Sequence, residues 1–365
     1  MKLHILPFLA AIKLAHAGWK LDHRTCTGAD ADLVNKIMVS AFELAGHGLT
    51  AVDNILNNGN DNGNSDNVNN VVKWMFFKDD EQVTDTAMKS PRLKKVQDTL
   101  AGLGAVSTRN DNEANGGNTI IVYCGVDTSD DRFEAVNWPD GTFRGYRDAD
   151  SLRFYSSPQE YLKGCHDYQP TTAYAMAGDD VDNTPSQIQI CPFFLDWMKN
   201  GDTGGGTQPH PQTLPDLIQP KSSATWWPFD NDKRKSVFYN SLTKAFLAKK
   251  VSVLKPIDVF SLFDKVLLHE LTHTLPGKQT LDVDEHIGIL TGTKYGWNRC
   301  RKLAQENPNE PVKDKDGDVI GYRAANKNAD SIALMCSAVT MLVAEDTIVS
   351  EITEDGQVNL RQLDD

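Results

Sequence analysis

Val266-Leu267-Leu268-His269-Glu270-Leu271-Thr272-His273 is the stretch that organises the reading of this chain. Apolar residues recur through it at helical spacing, which predicts a helix over residues 257–275. Residues four apart share one face of a helix, so His269 and His273 can aim both imidazoles at a single point. Two neutral imidazoles one turn apart are a partial ligand set suited to Zn²⁺, which accepts tetrahedral geometry and leaves one position open to water. Glu270, beside the first imidazole, is set to take a proton from that water, whose pKa the ion lowers toward about 7. Pro276-Gly277 ends the helix just after His273 and lets the chain turn back. The next segment, Thr280-Leu281-Asp282-Val283-Asp284-Glu285-His286, offers four candidates for a third ligand: Asp282, Asp284, Glu285 and His286.

Outward from this motif, residues 30–56 carry Leu33, Ile37, Ala41, Leu44, Leu49, Val52 and Leu56 at helical spacing. Residues 57–70 are dominated by Asn, Gly and Asp and predict a solvated loop. A second helix is expected over residues 90–103, ending near Gly104. Thr119-Ile120-Ile121-Val122-Tyr123-Cys124 is β-branched and Ser186-Gln187-Ile188-Gln189-Ile190-Cys191 alternates polar with apolar; both predict strands. Residues 201–223, rich in Gly, Pro, Thr and Gln, read as an interdomain linker or a long surface loop. Further helices are expected over 233–249, from about Tyr295, and over 328–345. Asp314-Lys315-Asp316-Gly317-Asp318 reads as a hairpin turn whose Gly comes too early for an EF-hand loop.

The chain has 365 residues, 40% of them hydrophobic, and a net charge of −13, enough for a sizeable core and wrong for a polyanion-binding surface. Nucleic acid and anionic membranes both require clustered Lys and Arg, so neither is an expected partner. No apolar run approaches the ~18 residues of a membrane span. Residues 1–17 have the form of a secretory leader: a Lys near the start, an apolar middle, and Ala15-His16-Ala17 before Gly18. All six cysteines (Cys26, Cys124, Cys165, Cys191, Cys300, Cys336) follow that point and none stands in a Cys-x-x-Cys pair. Disulfides in an oxidising compartment are the expectation, and with them a secreted, extracellular protein.

The zinc motif, followed by Thr280-x-Asp282 and later by Tyr295-Gly296, resembles the aspzincins, the deuterolysin-type and lysine-specific metalloendopeptidases found mainly in fungi. Their pattern is His-Glu-x-x-His and then Gly-Thr-x-Asp-x-x-Tyr-Gly, in which the Asp binds zinc. Here Asp282 and Tyr295 are separated by an insertion, and Gly292-Thr293 precedes Tyr295 with no Asp between. Asn328-Ala-Asp330-Ser331-Ile-Ala-Leu334 resembles the segment that opens the last helix of those enzymes, and Cys26-x-Gly28 the start of their mature domain. The resemblance touches residues 22–346.

It implies Asp282 as third ligand, with Asp284 the runner-up, and Tyr295 as a hydrogen-bond donor to the oxyanion of a tetrahedral intermediate. It implies for Asp330 a helix cap or a bond to a zinc histidine. It also implies disulfides 26–124, 165–191 and 300–336.

The fold expected is α+β: zincin-like, mainly helical, with a small twisted sheet. One catalytic domain is expected over residues 18–350, with insertions at 57–70, 201–223 and 306–327, and a tail at 351–365. The expected activity is that of a monomeric secreted zinc endopeptidase: His269, His273 and Asp282 hold the ion, Glu270 is the base and Tyr295 steadies the oxyanion. Its partner is a protein or peptide substrate, lying along a strand edge beside the helix. The alternative is a secreted zinc-binding protein on the same scaffold, an antigen, metal scavenger or effector, with little or no hydrolysis.

Overall fold

A computed structural model describes residues 18–57, 63–112, 116–129, 131–161, 165, 172–200, 213–218, 255, 257–258, 263–287, 290–293, 296–309, 311–313, 317, 319–322 and 324–361. The leader at 1–17, the helix expected over 233–249, and Tyr295 lie outside these residues.

Strand β1 (Gly18–Leu21) is followed by three helices, α1 (Gly28–Asn57), α2 (Asp66–Phe76) and α3 (Thr86–Ala105), before strand β2 (Thr119–Tyr123). Helix α1 matches its sequence pattern: Leu33, Ile37, Ala41, Leu44 and Val52 are all buried. Helix α2 begins inside the stretch expected to be loop. Ser65 caps it by accepting the Val68 amide, and Val68, Val71, Val72 and Met75 form a buried stripe. That stripe outweighs the helix-averse Asn residues between its members, because burial of an amphipathic face contributes more than propensity.

After β2 comes a small antiparallel sheet, β3 (Phe133–Asn137), β4 (Phe143–Asp148) and β5 (Phe154–Tyr155). Strands β6 (Ala173–Met176) and β7 (Ser186–Ile190) complete the main sheet, whose order is β1-β2-β7-β6. Strands β1, β2 and β7 run parallel, and β6 runs antiparallel at the edge. Every residue of β7 is buried, its polar positions included. Its polar side chains bond internally: Gln187 Nε2 donates to Tyr123 Oη and Asp148 Oδ2, both at 3.0 Å, while Gln187 Oε1 has no partner among the described residues, and Ser186 Oγ accepts the Gly178 and Leu275 amides.

Helices α4 (Pro192–Asn200) and α5 (Leu214–Ile218) lead to α6 (Phe263–His273), which carries the histidines. Leu214 and Ile218, inside the expected linker, are buried in the same apolar core as α1 and α6. A hairpin of β8 (Asp284–Ile287) and β9 (Leu290–Thr293) precedes α7 (Trp297–Gln305). The hairpin expected around Asp314 is formed by β10 (Pro311–Lys313) and β11 (Val319–Tyr322). Helix α8 (Ala329–Val343) crosses α1 closely: a Cβ on Gly48 would meet Cys336 Sγ at 2.3 Å. The expected tail is instead structured, since β12 (Val349–Ile352) pairs with β13 (Val358–Leu360) and buries Val349 and Ile352.

The fold is thus α+β. Among the described residues the strands are short but more numerous than the helices.

Two of the three expected disulfides are present, Cys26–Cys124 and Cys165–Cys191. The first joins residues 98 apart in sequence, a closure that in the chain-entropy picture is worth about 4–5 kcal/mol. The third pairing is corrected: Cys300 and Cys336 are both buried and form no disulfide. Each faces different neighbours, Cys300 toward Asp330 and Asn328, Cys336 toward Gly48.

Candidate metal centre

Helix α6 is anchored at its start and turned sharply at its end. Near the start, Asp264 accepts hydrogen bonds from Ser40 Oγ and the Leu214 amide, both at 2.7 Å, which ties α6 to α1 and α5. At the end, Gly277 lies against the helix's own last turn, where a Cβ would meet the Leu271 carbonyl at 2.2 Å. Lys278 and Gln279 then adopt positive φ, 64° and 50°, at a cost of about 1–3 kcal/mol each. Several bonds offset that strain. The Gln279 amide donates to the Thr274 carbonyl, the Thr280 amide to the Thr272 carbonyl, and the Thr272 and Thr280 hydroxyls meet at 2.6 Å. The reversal delivers Asp282 to the histidines.

Three donor atoms converge there. His269 Nε2 and His273 Nε2 are 3.2 Å apart, and Asp282 Oδ1 lies 3.1 Å from the first and 3.4 Å from the second. A tetrahedral ion about 2.0–2.1 Å from each donor requires donor–donor edges of about 3.3–3.4 Å. The triangle fits that requirement, and two imidazoles with one carboxylate are a donor set that Zn²⁺ accepts with a position left over. Among the described residues, these three are the group with metal-binding geometry.

The far side of each imidazole is also held. His273 Nδ1 donates to the Thr280 carbonyl at 2.8 Å, which fixes the tautomer that leaves Nε2 free to bind a cation. His269 Nδ1 faces Asp330 Oδ1 at 3.7 Å. Asp330, fully buried on α8, also pairs with Lys265 Nζ and accepts the Gly296 amide at 2.7 Å. Of the two roles implied by the resemblance, the facing of a histidine is the one the structure shows.

Electrostatics follow from this crowding. Burial works against a proton on His269, but Asp282's charge and the bonds to Asp282 and Asp330 outweigh it and raise the imidazole to about 10. Asp282, despite its own desolvation, is held well below the carboxylate range by the His269 and His273 rings. Glu270 is pushed up by burial, against the pull of the two imidazoles and a bond from the Ala175 amide of β6.

Of the residues singled out in the sequence, His269, His273 and Asp282 are brought together, and Glu270 is buried beside them on the same helix. Asp284 opens β8 opposite Thr293. Its side chain, those of Glu285 and His286, and all of Tyr295 lie outside the described residues. Lys265, the Thr280 carbonyl and Asn328 carry supporting roles that the sequence did not assign. Only their nearness to the motif and to the Asn-Ala-Asp-Ser segment could have suggested them.

No protein-family model matches the chain, and neither the curated proteins nor the solved structures contain a match to it.

Proposed function

We propose that this chain is a zincin-like, zinc-dependent endopeptidase that works outside the cell. The observation that carries the reading is the convergence of His269, His273 and Asp282 at tetrahedral spacing, with a buried carboxylate one residue from the first histidine. Zinc bound by those three would supply Lewis acidity toward a peptide carbonyl and would acidify a water molecule.

The protein's own contribution begins with Glu270. Its burial raises its proton affinity, which suits a group that must accept a proton and later return it to the leaving amine. The Ala175 amide holds the carboxylate from the side of β6. Strand β6 pairs with β7 on one side and stands at the end of the sheet, so its other side can take an extended peptide as an added strand. That arrangement would present a substrate backbone next to the Glu270 carboxylate. Tyr295 is proposed as the oxyanion donor on the resemblance alone. The two disulfides are compatible with an oxidising compartment, and among the described residues no helix is long and apolar enough to cross a membrane.

The test is digestion of a mixed peptide library by zinc-loaded protein, read by mass spectrometry beside a Glu270→Ala control. Cleavage that the substitution and a chelator both abolish supports the peptidase. A protein that retains one zinc and cuts nothing is instead the non-hydrolytic zinc-binding protein.

A further inference from the structure

We infer that Asn328 is a positioning residue for the ligand Asp282, and that its side-chain amide sets metal affinity without touching the metal. The inference rests on the metal-site reading above.

Asp282 needs outside help to stay in place. It follows a strained turn, precedes β8, and leaves 37% of its side chain exposed, so its position depends on the backbone to either side. That backbone is pinned by three consecutive residues. The Leu281 amide donates to the Lys327 carbonyl at 2.8 Å, and the Leu281 carbonyl accepts the Ala329 amide at 3.0 Å. On the other side of Asp282, the Val283 amide donates to Asn328 Oδ1 at 3.2 Å. The first two bonds are backbone to backbone and would survive any side-chain change. The third depends on Asn328.

The use of this side chain is unusual. Asn328 is the N-cap of α8, where an Asn ordinarily turns its oxygen back onto the second or third amide of its own helix. Here no side-chain cap bond forms, and the oxygen is directed to Val283. The other end of the amide is committed as well: Nδ2 donates to Ser331 Oγ at 2.9 Å and faces Cys300 Sγ at 3.7 Å. Asn328 is 1% exposed, so the amide is oriented within the core and aimed at the ligand loop. Two residues further on, Asp330 faces His269. A single short segment thus faces one ligand directly and holds the backbone next to another, by separate side chains.

The experiment measures the zinc dissociation constant by competition with a chromophoric chelator, together with the Co²⁺ absorption spectrum, for the full-length protein and five variants. Asn328→Ala and Asn328→Ser, each too short to reach the Val283 amide, should weaken zinc about 10–100-fold and alter the Co²⁺ bands. Ser331→Ala, which leaves the Val283 bond intact, should stay within about threefold of wild type, an outcome that a general loosening of the cluster would not produce. In an Asp282→Ala background, Asn328→Ala should add little, because its effect runs through that ligand. Should Asn328→Ala not fold, Asn328→Ser carries the test.

Folded Asn328 variants that bind zinc as wild type does, or a loss that persists in full without Asp282, would overturn the inference. A wild-type protein that binds no zinc would instead remove the metal-site reading beneath it.

Discussion

Two partly buried polar clusters in this molecule hold their carboxylates in opposite ways. In the first, Arg24 Nε lies 2.7 Å from Asp22 and 3.3 Å from Asp127, and the guanidinium also pairs with Asp150, which takes a 2.6 Å bond from Tyr123 Oη. Burial disfavours the Arg24 charge, but Asp150 and Asp22 outweigh it. Here the chain supplies the cation itself. In the second, the partners of Asp282 among the described residues are the two imidazoles, and three lone-pair donors face one point. Asp282 favours the protonated form of His269, and a metal must displace any such proton. A network in which one fixed cation ties three carboxylates together supports the fold, whereas a donor set without a fixed cation supports binding.

Four changes would break or sharpen that contrast. The largest effect belongs to Glu270→Gln, which should lower peptide cleavage about 10³-fold while leaving zinc content unchanged, since it removes a base and no ligand. Steady-state kinetics alongside metal analysis would check it. Next, Arg24→Ala strands three carboxylates and should destabilise the protein by about 3 kcal/mol, read by urea unfolding. Zinc affinity should not change, and a fall in affinity would show that the two clusters are one system.

Third, Asp330→Asn should weaken zinc about 10–100-fold, because the carboxylate that faces His269 Nδ1 would lose its charge. The smallest effect is a slope with pH. Burial raises Asp264 and Asp258 to about 6. The folded state therefore holds their protons more tightly than an unfolded chain does. Their stabilisation is complete below the unfolded carboxyl pKa of about 4 and is lost as pH rises through about 6. Asp264→Asn should shrink the stability lost between pH 5 and pH 7 by about 1–2 kcal/mol, seen in denaturant midpoints at the two pH values.

Much of the site could be read from residue types at short range. His269, Glu270 and His273 are fixed by helical spacing, and Pro276-Gly277 announces the reversal that the packing of Gly277 then requires. Asp282 emerged from the resemblance, and its meeting with the histidines is a product of the turn. What could not be read is what depends on distant partners. The helix at Asp66 exists because its Val stripe finds α8, the polar face of β7 is buried because Tyr123 and Asp148 receive it, and Asn328 reaches across to a loop 45 residues earlier. Cys300 and Cys336 make the same point. Parity and family pattern suggested a bond, and helix orientation gave each thiol a different neighbour.

Anomalous diffraction at the zinc edge, from crystals of the zinc-loaded protein, would locate the ion. The account predicts one full-occupancy ion about 2.0–2.2 Å from His269 Nε2, His273 Nε2 and Asp282 Oδ1, with a fourth position open to solvent. An ion held instead by Asp284, Glu285 or His286, or no ion at these histidines, would contradict it.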